Sequence, residues 1–256
     1  MQPVGTDVRP SARLLVAVLG GIALLAWLAL WRLDQSAFGG NGHHHAPGAG
    51  GWLFAVLFLA GWLLMSVAMM LPTAVPLVAL FSRLVTRRAE GPVLVASLLG
   101  GYLAAWLGFG GIVLALLVGA DRVGVMPEQP RTGLWRAGLF LLAGGFQLSP
   151  LKYACLDQCR TPFGFLNSHW SGSSGGLLAA VGLGWRHGWF CVGCCWALML
   201  LMFAVGVTSL GWMLLLALIM ALEKNAPWGR RLSRPLGLVL LAAGLGLGLA
   251  FAAASS

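Results

Sequence analysis

Long apolar runs separated by short polar breaks dominate this chain. A helix needs about 20 apolar residues to cross a bilayer core of about 30 Å. Runs that meet or approach that length are 14–31, 52–71, 93–118, 134–148 and 235–254. The stretch 188–222 would be about 52 Å long as one helix, so either it is a single strongly tilted helix, with Gly176–Trp185 crossing as well, or it divides into two short spans, the reading preferred here. Glycines around Gly206–Gly211 divide it into 188–207 and 210–222. Gly176–Trp185 is too short to cross and is followed by Arg186-His187-Gly188, which predicts a short interfacial or re-entrant helix. The expected fold is all-α: a polytopic transmembrane helix bundle with about seven spans plus that short helix. Residues 1–256 form a single membrane domain in this reading, with 149–187 a cysteine-containing loop carrying short helices.

Composition supports the pattern. The sequence is 59% hydrophobic and only 9% charged, against roughly 25% charged residues in soluble domains. The net charge of +9 reads as membrane orientation, not nucleic-acid binding, because basic residues collect in cytoplasmic loops. A cytoplasmic N-terminus puts the clusters Arg83, Arg87, Arg88 and Arg230, Arg231, Arg234 inside, with Arg32, Arg122, Arg131 and Arg136 outside. Arg9 and Arg13 before the run 14–31 resemble the start of a signal peptide. The run is too long for a signal core and lacks a small-x-small cleavage site, so it is expected to stay as an anchor. The expected location is a bacterial inner membrane, multi-pass, with all five cysteines toward the cytoplasm.

The chemistry in the sequence is sulfur. All five cysteines lie between positions 155 and 195, an odd-numbered crowd unlike a secreted disulfide framework. On a helix, Cys191, Cys195, Met199 and Met202 fall at i, i+4, i+8 and i+11 and share one face. Cys194 completes a Cys-x-x-Cys pair with Cys191. Cys155 and Cys159 are spaced i, i+4 between Pro150 and Pro162, and Met65, Met69 and Met70 form a third group. Thiolate and thioether ligands select Cu(I) over hard cations. Zinc also takes thiolates but rarely thioethers, so copper is the expected metal and zinc the weaker alternative. A single methionine or cysteine in a membrane helix is ordinarily packing; the crowding is what argues for more. A Cys-x-x-Cys pair can also run thiol–disulfide exchange.

Other residues carry weaker signals. His43-His44-His45 sits in a Gly- and Asn-containing loop and suits Cu(II), Ni(II) or Zn(II). His169 and His187 flank the short segment. Glu223-Lys224 reads as an interfacial pair reaching toward water. Asp157 could neutralise a cation between Cys155 and Cys159, and Lys152 and Arg160 could favour thiolates there. Gly244-Leu-Gly-Leu-Gly248 reads as helix packing. There is no Ser-His-Asp set, no inward carboxylate pair and no phosphate loop, so no enzyme reaction is read.

Several of these blocks recur together. Ala68-Met69-Met70-Leu71-Pro72, Gln147-Leu-Ser-Pro-Leu-Lys152, Cys155-x-x-x-Cys159-Arg160-x-Pro162 and Gly193-Cys-Cys-Trp-Ala-Leu-Met199 with Glu223-Lys224 resemble a bacterial family of predicted metal-binding integral membrane proteins, a family of unknown function. The resemblance runs from about Gly61 to Lys224. It implies a polytopic membrane protein with a metal site, and draws attention to Met69, Met70, Gln147, Lys152, Cys155, Cys159, Arg160, Cys194, Cys195 and Met199. The expected function is binding, transport or delivery of Cu(I) through a Cys/Met site. The ligands would be Cys155, Cys159, Cys191, Cys194, Cys195, Met199, Met202, Met69 and Met70. A metal carrier or a membrane metalloenzyme would be the partner, with the lipid bilayer around it. The alternatives are a membrane thiol–disulfide oxidoreductase and a non-catalytic assembly subunit of a membrane complex.

Overall fold

The computed structural model describes residues 10–33, 51–122, 133–170, 176–205 and 209–255. These form helices α1 (Pro10–Leu33), α2 (Gly51–Val85), α3 (Gly91–Arg122), α4 (Gly133–Gln147), α5 (Pro150–Arg160), α6 (Pro162–His169), α7 (Leu177–Val205), α8 (Leu210–Asn225) and α9 (Gly229–Ser255). The all-α expectation holds for the described residues. Five helices (α1, α2, α3, α7 and α9) are long and apolar enough to cross a membrane; α4 and α5, bent by 64° at their junction, would together make a sixth. The expected seven is therefore not reached by length. At 16 residues, α8 rises only about 24 Å, less than a hydrocarbon core. His43–His45 lies outside the described residues.

Two helices run further than their sequence suggests. The expected span 52–71 stops before Pro72, yet α2 continues through Pro72 and Pro76 to Val85. A helical proline lacks the N–H that would reach the carbonyl four residues back. For Pro72 that carbonyl is Ala68 O, and the Trp27 indole of α1 donates to it at 3.1 Å. A neighbouring helix thus satisfies the group that proline frees. Similarly, Gly176–Trp185 is not a separate interfacial helix: residues from Leu177 onward are the first turns of α7. The polar triplet that seemed to end the segment is absorbed by packing. His187 is buried against the rings of Tyr102 and Phe165, while Arg186 faces outward.

That packing depends on glycine. Ala180, Leu183, Gly184, His187 and Gly188 are the buried positions on this part of α7. A Cβ on Gly184 would collide with the main-chain carbonyl of Leu98, and one on Gly101 with that of Val181. At Gly188 it would come within 2.6 Å of the Ala105 methyl. The α3 and α7 backbones therefore meet at small-residue distance, the usual solution where lipid gives helices no hydrophobic reason to associate. Trp62 of α2 stacks on Phe203 of α7 at 6.4 Å, while Met70 meets Cys195. Rising numbers on one helix meet falling numbers on the other, so α2 and α7 run antiparallel.

At the other side, Ser149 ends α4 and starts α5. It precedes Pro150, which disfavours helical backbone, and adopts φ −74°, ψ 142°. Its hydroxyl accepts from Lys152 N at 3.2 Å as an N-cap. The turn aims Lys152 inward, where its ammonium meets the Glu223 carboxylate of α8 at 2.7 Å, with both side chains almost fully buried. Gln147 of α4 donates to the same carboxylate at 3.2 Å and Ser233 of α9 at 2.7 Å. The Arg160 guanidinium donates to the carbonyls of Glu223 and Pro227. Four helices are thereby tied at one carboxylate.

Two outcomes follow for thermal unfolding of the detergent-solubilised protein. Gly184→Ala should lower stability by about 2–3 kcal/mol through overpacking, while Gly182→Ala, whose added methyl meets nothing within 4 Å, should be near neutral; equal effects would remove the α3–α7 contact as the cause. Lys152→Met should cost about 3–5 kcal/mol by stranding a buried carboxylate. The double variant Lys152→Met/Glu223→Gln should recover part of that loss, and a double no better than the single would show that the pair is not what holds the four helices.

Candidate metal centre

Both cysteine groups reach the same place. α5 packs along α7, and Cys155 lies over Gly193, where a Cβ would stand 2.7 Å from the Cys155 sulfur. One turn on, Cys159 Sγ is 3.9 Å from Cys194 Sγ. Cys155 and Cys159 are half-buried, and Cys191, Cys194 and Cys195 are buried. The short helix between prolines therefore does bring its thiols to those of α7, and α7 needs glycine at 193 to let it approach.

On the far side of α7, Cys195 Sγ lies 3.7 Å from Met70 Sδ of α2. The Cys194 and Cys195 thiols also donate to the Cys191 carbonyl at 3.1 and 2.8 Å. Tyr102 Oη of α3 is 3.0 Å from Cys191 Sγ and donates to the Met70 carbonyl at 3.1 Å. The residue that completes the cluster is Lys224. Its Nζ donates to Cys191 Sγ at 2.9 Å and to Thr73 Oγ1 at 3.3 Å. It also lies 3.7 Å from Met70 Sδ and 3.8 Å from Cys195 Sγ. Sulfurs from α2 and α7 thus surround one cation. Among the described residues no carboxylate comes within ion-pair distance of Lys224.

This overturns the expectation for Glu223-Lys224. The two side chains do not reach toward water; they are 2% and 6% exposed. They point to opposite partners, Glu223 to Lys152 and Lys224 to the sulfurs. A polar pair at the end of an apolar run looks the same in sequence whether it meets solvent or protein, so only the surrounding helices decide. Nor do the charges beside Cys155 and Cys159 act on those thiols. Lys152 is taken by Glu223, Arg160 by main-chain carbonyls, and Asp157 by Arg230 in an exposed ion pair at 3.2 Å.

The other expected donors are distributed along the same core. Met199 and Met202 are fully buried one and two turns beyond Cys195 on α7, and Met69 is buried beside Met70. They share one buried apolar cluster with Cys191, Cys194 and Cys195, but among the described residues the hydrogen-bond-range sulfur contact from a methionine to these thiols is that of Met70. Cys191 is 14 residues into α7, about 21 Å from its first residue, so the cysteines lie mid-helix and not at the end of a span. His187 is buried with its Nδ1 unpartnered among the described residues. His169 bonds locally to Ser168 and Phe165 O and lies outside the cluster. Sequence reasoning missed Lys224, Tyr102 and Thr73 as members of the site. The signal that was available is an ionisable residue in an apolar chain, which inside a membrane is a functional candidate by default.

Among the described residues no three His, Cys, Asp or Glu side chains form a ready-made metal site. What converges is two thiols and a thioether, a donor set that suits a soft monovalent ion better than zinc, which usually takes four N/S ligands. No curated protein and no solved structure matches the chain. A family model described as PpoB2: Copper chaperone matches residues 59–247, from α2 to α9, and so covers the whole cluster and the Glu223 clamp. With that match over most of its length, the chain belongs to the PpoB2 copper chaperone family.

Proposed function

We propose that this protein is a multi-pass membrane copper chaperone that holds Cu(I) between Cys191, Cys195 and Met70. It would take the ion from a metal carrier and deliver it to a membrane metalloenzyme, in a bacterial inner membrane with the N-terminus cytoplasmic. Family membership supports copper handling, and five long apolar helices are compatible with a membrane setting. The observation that carries the reading is that sulfurs from α2 and α7 already surround one buried cation, the Lys224 ammonium. Every described methionine is buried, which keeps the thioethers inside the bundle, where they could serve as soft ligands.

Cys155, Cys159 and Cys194 form a second set of thiols on the α5 side, from which an ion could pass by ligand exchange to the buried cluster. No nucleotide-binding motif is read, so movement would follow ligand exchange and ion gradients. Thiol–disulfide exchange is the second reading, favoured by the approach of Cys159 to Cys194 from different helices.

The protein purified with copper supplied under reducing conditions should carry about one Cu(I) per chain, held at the micromolar level or tighter against a chromophoric chelator. Cys191→Ser/Cys195→Ser/Met70→Leu should reduce that copper to background, and a triple variant that retains it would end this assignment. For the exchange reading, the free-thiol count after mild oxidation should fall by two in the wild type and stay constant in Cys159→Ser; a count that never changes removes it.

A further inference from the structure

Lys224 has a consequence beyond ligand identity. We infer that its ammonium makes the cluster selective by charge, admitting a soft monovalent cation and opposing a soft divalent one. The inference rests on the reading that Cys191, Cys195 and Met70 hold the cargo.

The argument is a charge count in a place where net charge is expensive. Both thiols are buried, and metal-bound cysteines are thiolates. Two thiolates bring two negative charges. Met70 Sδ, Thr73 Oγ1 and Tyr102 Oη lie within hydrogen-bond reach of Cys191, Cys195 or Lys224 and are neutral donors or acceptors, and the adjoining Cys159 and Cys194 side chains enter the count as neutral thiols while they bind no metal. The neighbouring carboxylate of Glu223 is engaged by Lys152, Gln147 and Ser233. With the His187 imidazole, buried against Tyr102 and Phe165, counted as a neutral base, Lys224 is the ammonium that balances the cluster among the described residues. Two thiolates, one ammonium and a monovalent ion sum to zero. The same set with a divalent ion leaves one uncompensated positive charge in the interior, which is strongly disfavoured.

Geometry keeps the countercharge in place. The main chain under Lys224 is fixed, because the Arg160 guanidinium donates to the carbonyls of Glu223 and Pro227. Thr73 Oγ1, 3.3 Å from Nζ, gives the ammonium a partner that is not sulfur, so it can yield the ligand position without leaving the cluster. Softness alone does not separate Ag(I) from Cd(II), since both are thiophilic; the charge of the site does.

The test compares those two ions in the purified full-length protein, by competition against chelators of known affinity. The wild type should take one Ag(I) and prefer it over Cd(II). Lys224→Met should weaken Ag(I), strengthen Cd(II) and move the ratio of their dissociation constants by at least about a hundredfold. The exchange Lys224→Thr/Thr73→Lys, which moves the ammonium to the facing helix, should restore the wild-type ratio. A structural role for Lys224 would weaken both ions together and leave the ratio unchanged, and that result overturns the inference. So does a wild type that takes Cd(II) as tightly as Ag(I), whether or not either variant folds. A wild type in which neither ion responds to Cys191→Ser/Cys195→Ser sinks the copper reading itself.

Discussion

The ion pair between Lys152 and Glu223 is the constraint on which the remaining geometry rests. Both charges are removed from water, so each depends on the other and on the hydrogen bonds of Gln147 and Ser233. Its position matters as much as its strength. Lys152 is in the first turn of α5, so the pair sets where Cys155 and Cys159 lie. Glu223 is one residue before Lys224, so the same pair sets where the second ammonium points. Two neighbouring residues on α8 thus connect a neutralised structural charge to one held by sulfur.

The α3–α7 contact plays the complementary part. Glycines at 101, 184 and 188 let two long helices approach along their backbones, which places Tyr102 against Cys191. Gly193 lets α5 lie on the other side of α7. The result is one helix with thiols serving two neighbours, Cys194 toward α5 and Cys195 toward α2. A shared helix is a short route between a half-buried and a fully buried set of sulfurs. That arrangement suits the proposed role, in which an ion is accepted from a carrier and held away from water.

Much of this was open to inspection in the chain itself. Apolar runs marked α1, α3, α4 and α8, the start of α2 and the end of α9 close to their observed positions, because length and hydropathy are local properties. The break between 207 and 210 fits the separation of α7 from α8. Sulfur spacing sorted the candidate donors into three groups, since i, i+4 periodicity is fixed once a helix forms, and the fold brings Cys159 to Cys194 and Met70 to Cys195. The family-like blocks fell on residues that clamp or line the cluster.

What the chain left undecided was everything set by a neighbour. Pro72 looks like a terminus until the Trp27 indole reaches Ala68 O. Arg186-His187-Gly188 looks like a surface until Tyr102 and Phe165 enclose the imidazole. Glu223-Lys224 looks like a snorkelling pair until α4, α5 and α9 surround one charge and α2 and α7 the other. Sequence determines which residues can be ligands and which stretches can be helices, because those depend on covalent chemistry and on the rise per residue. Which polar groups face protein and which face solvent depends on partners dozens of positions away, and for this protein only the assembled helices settled it.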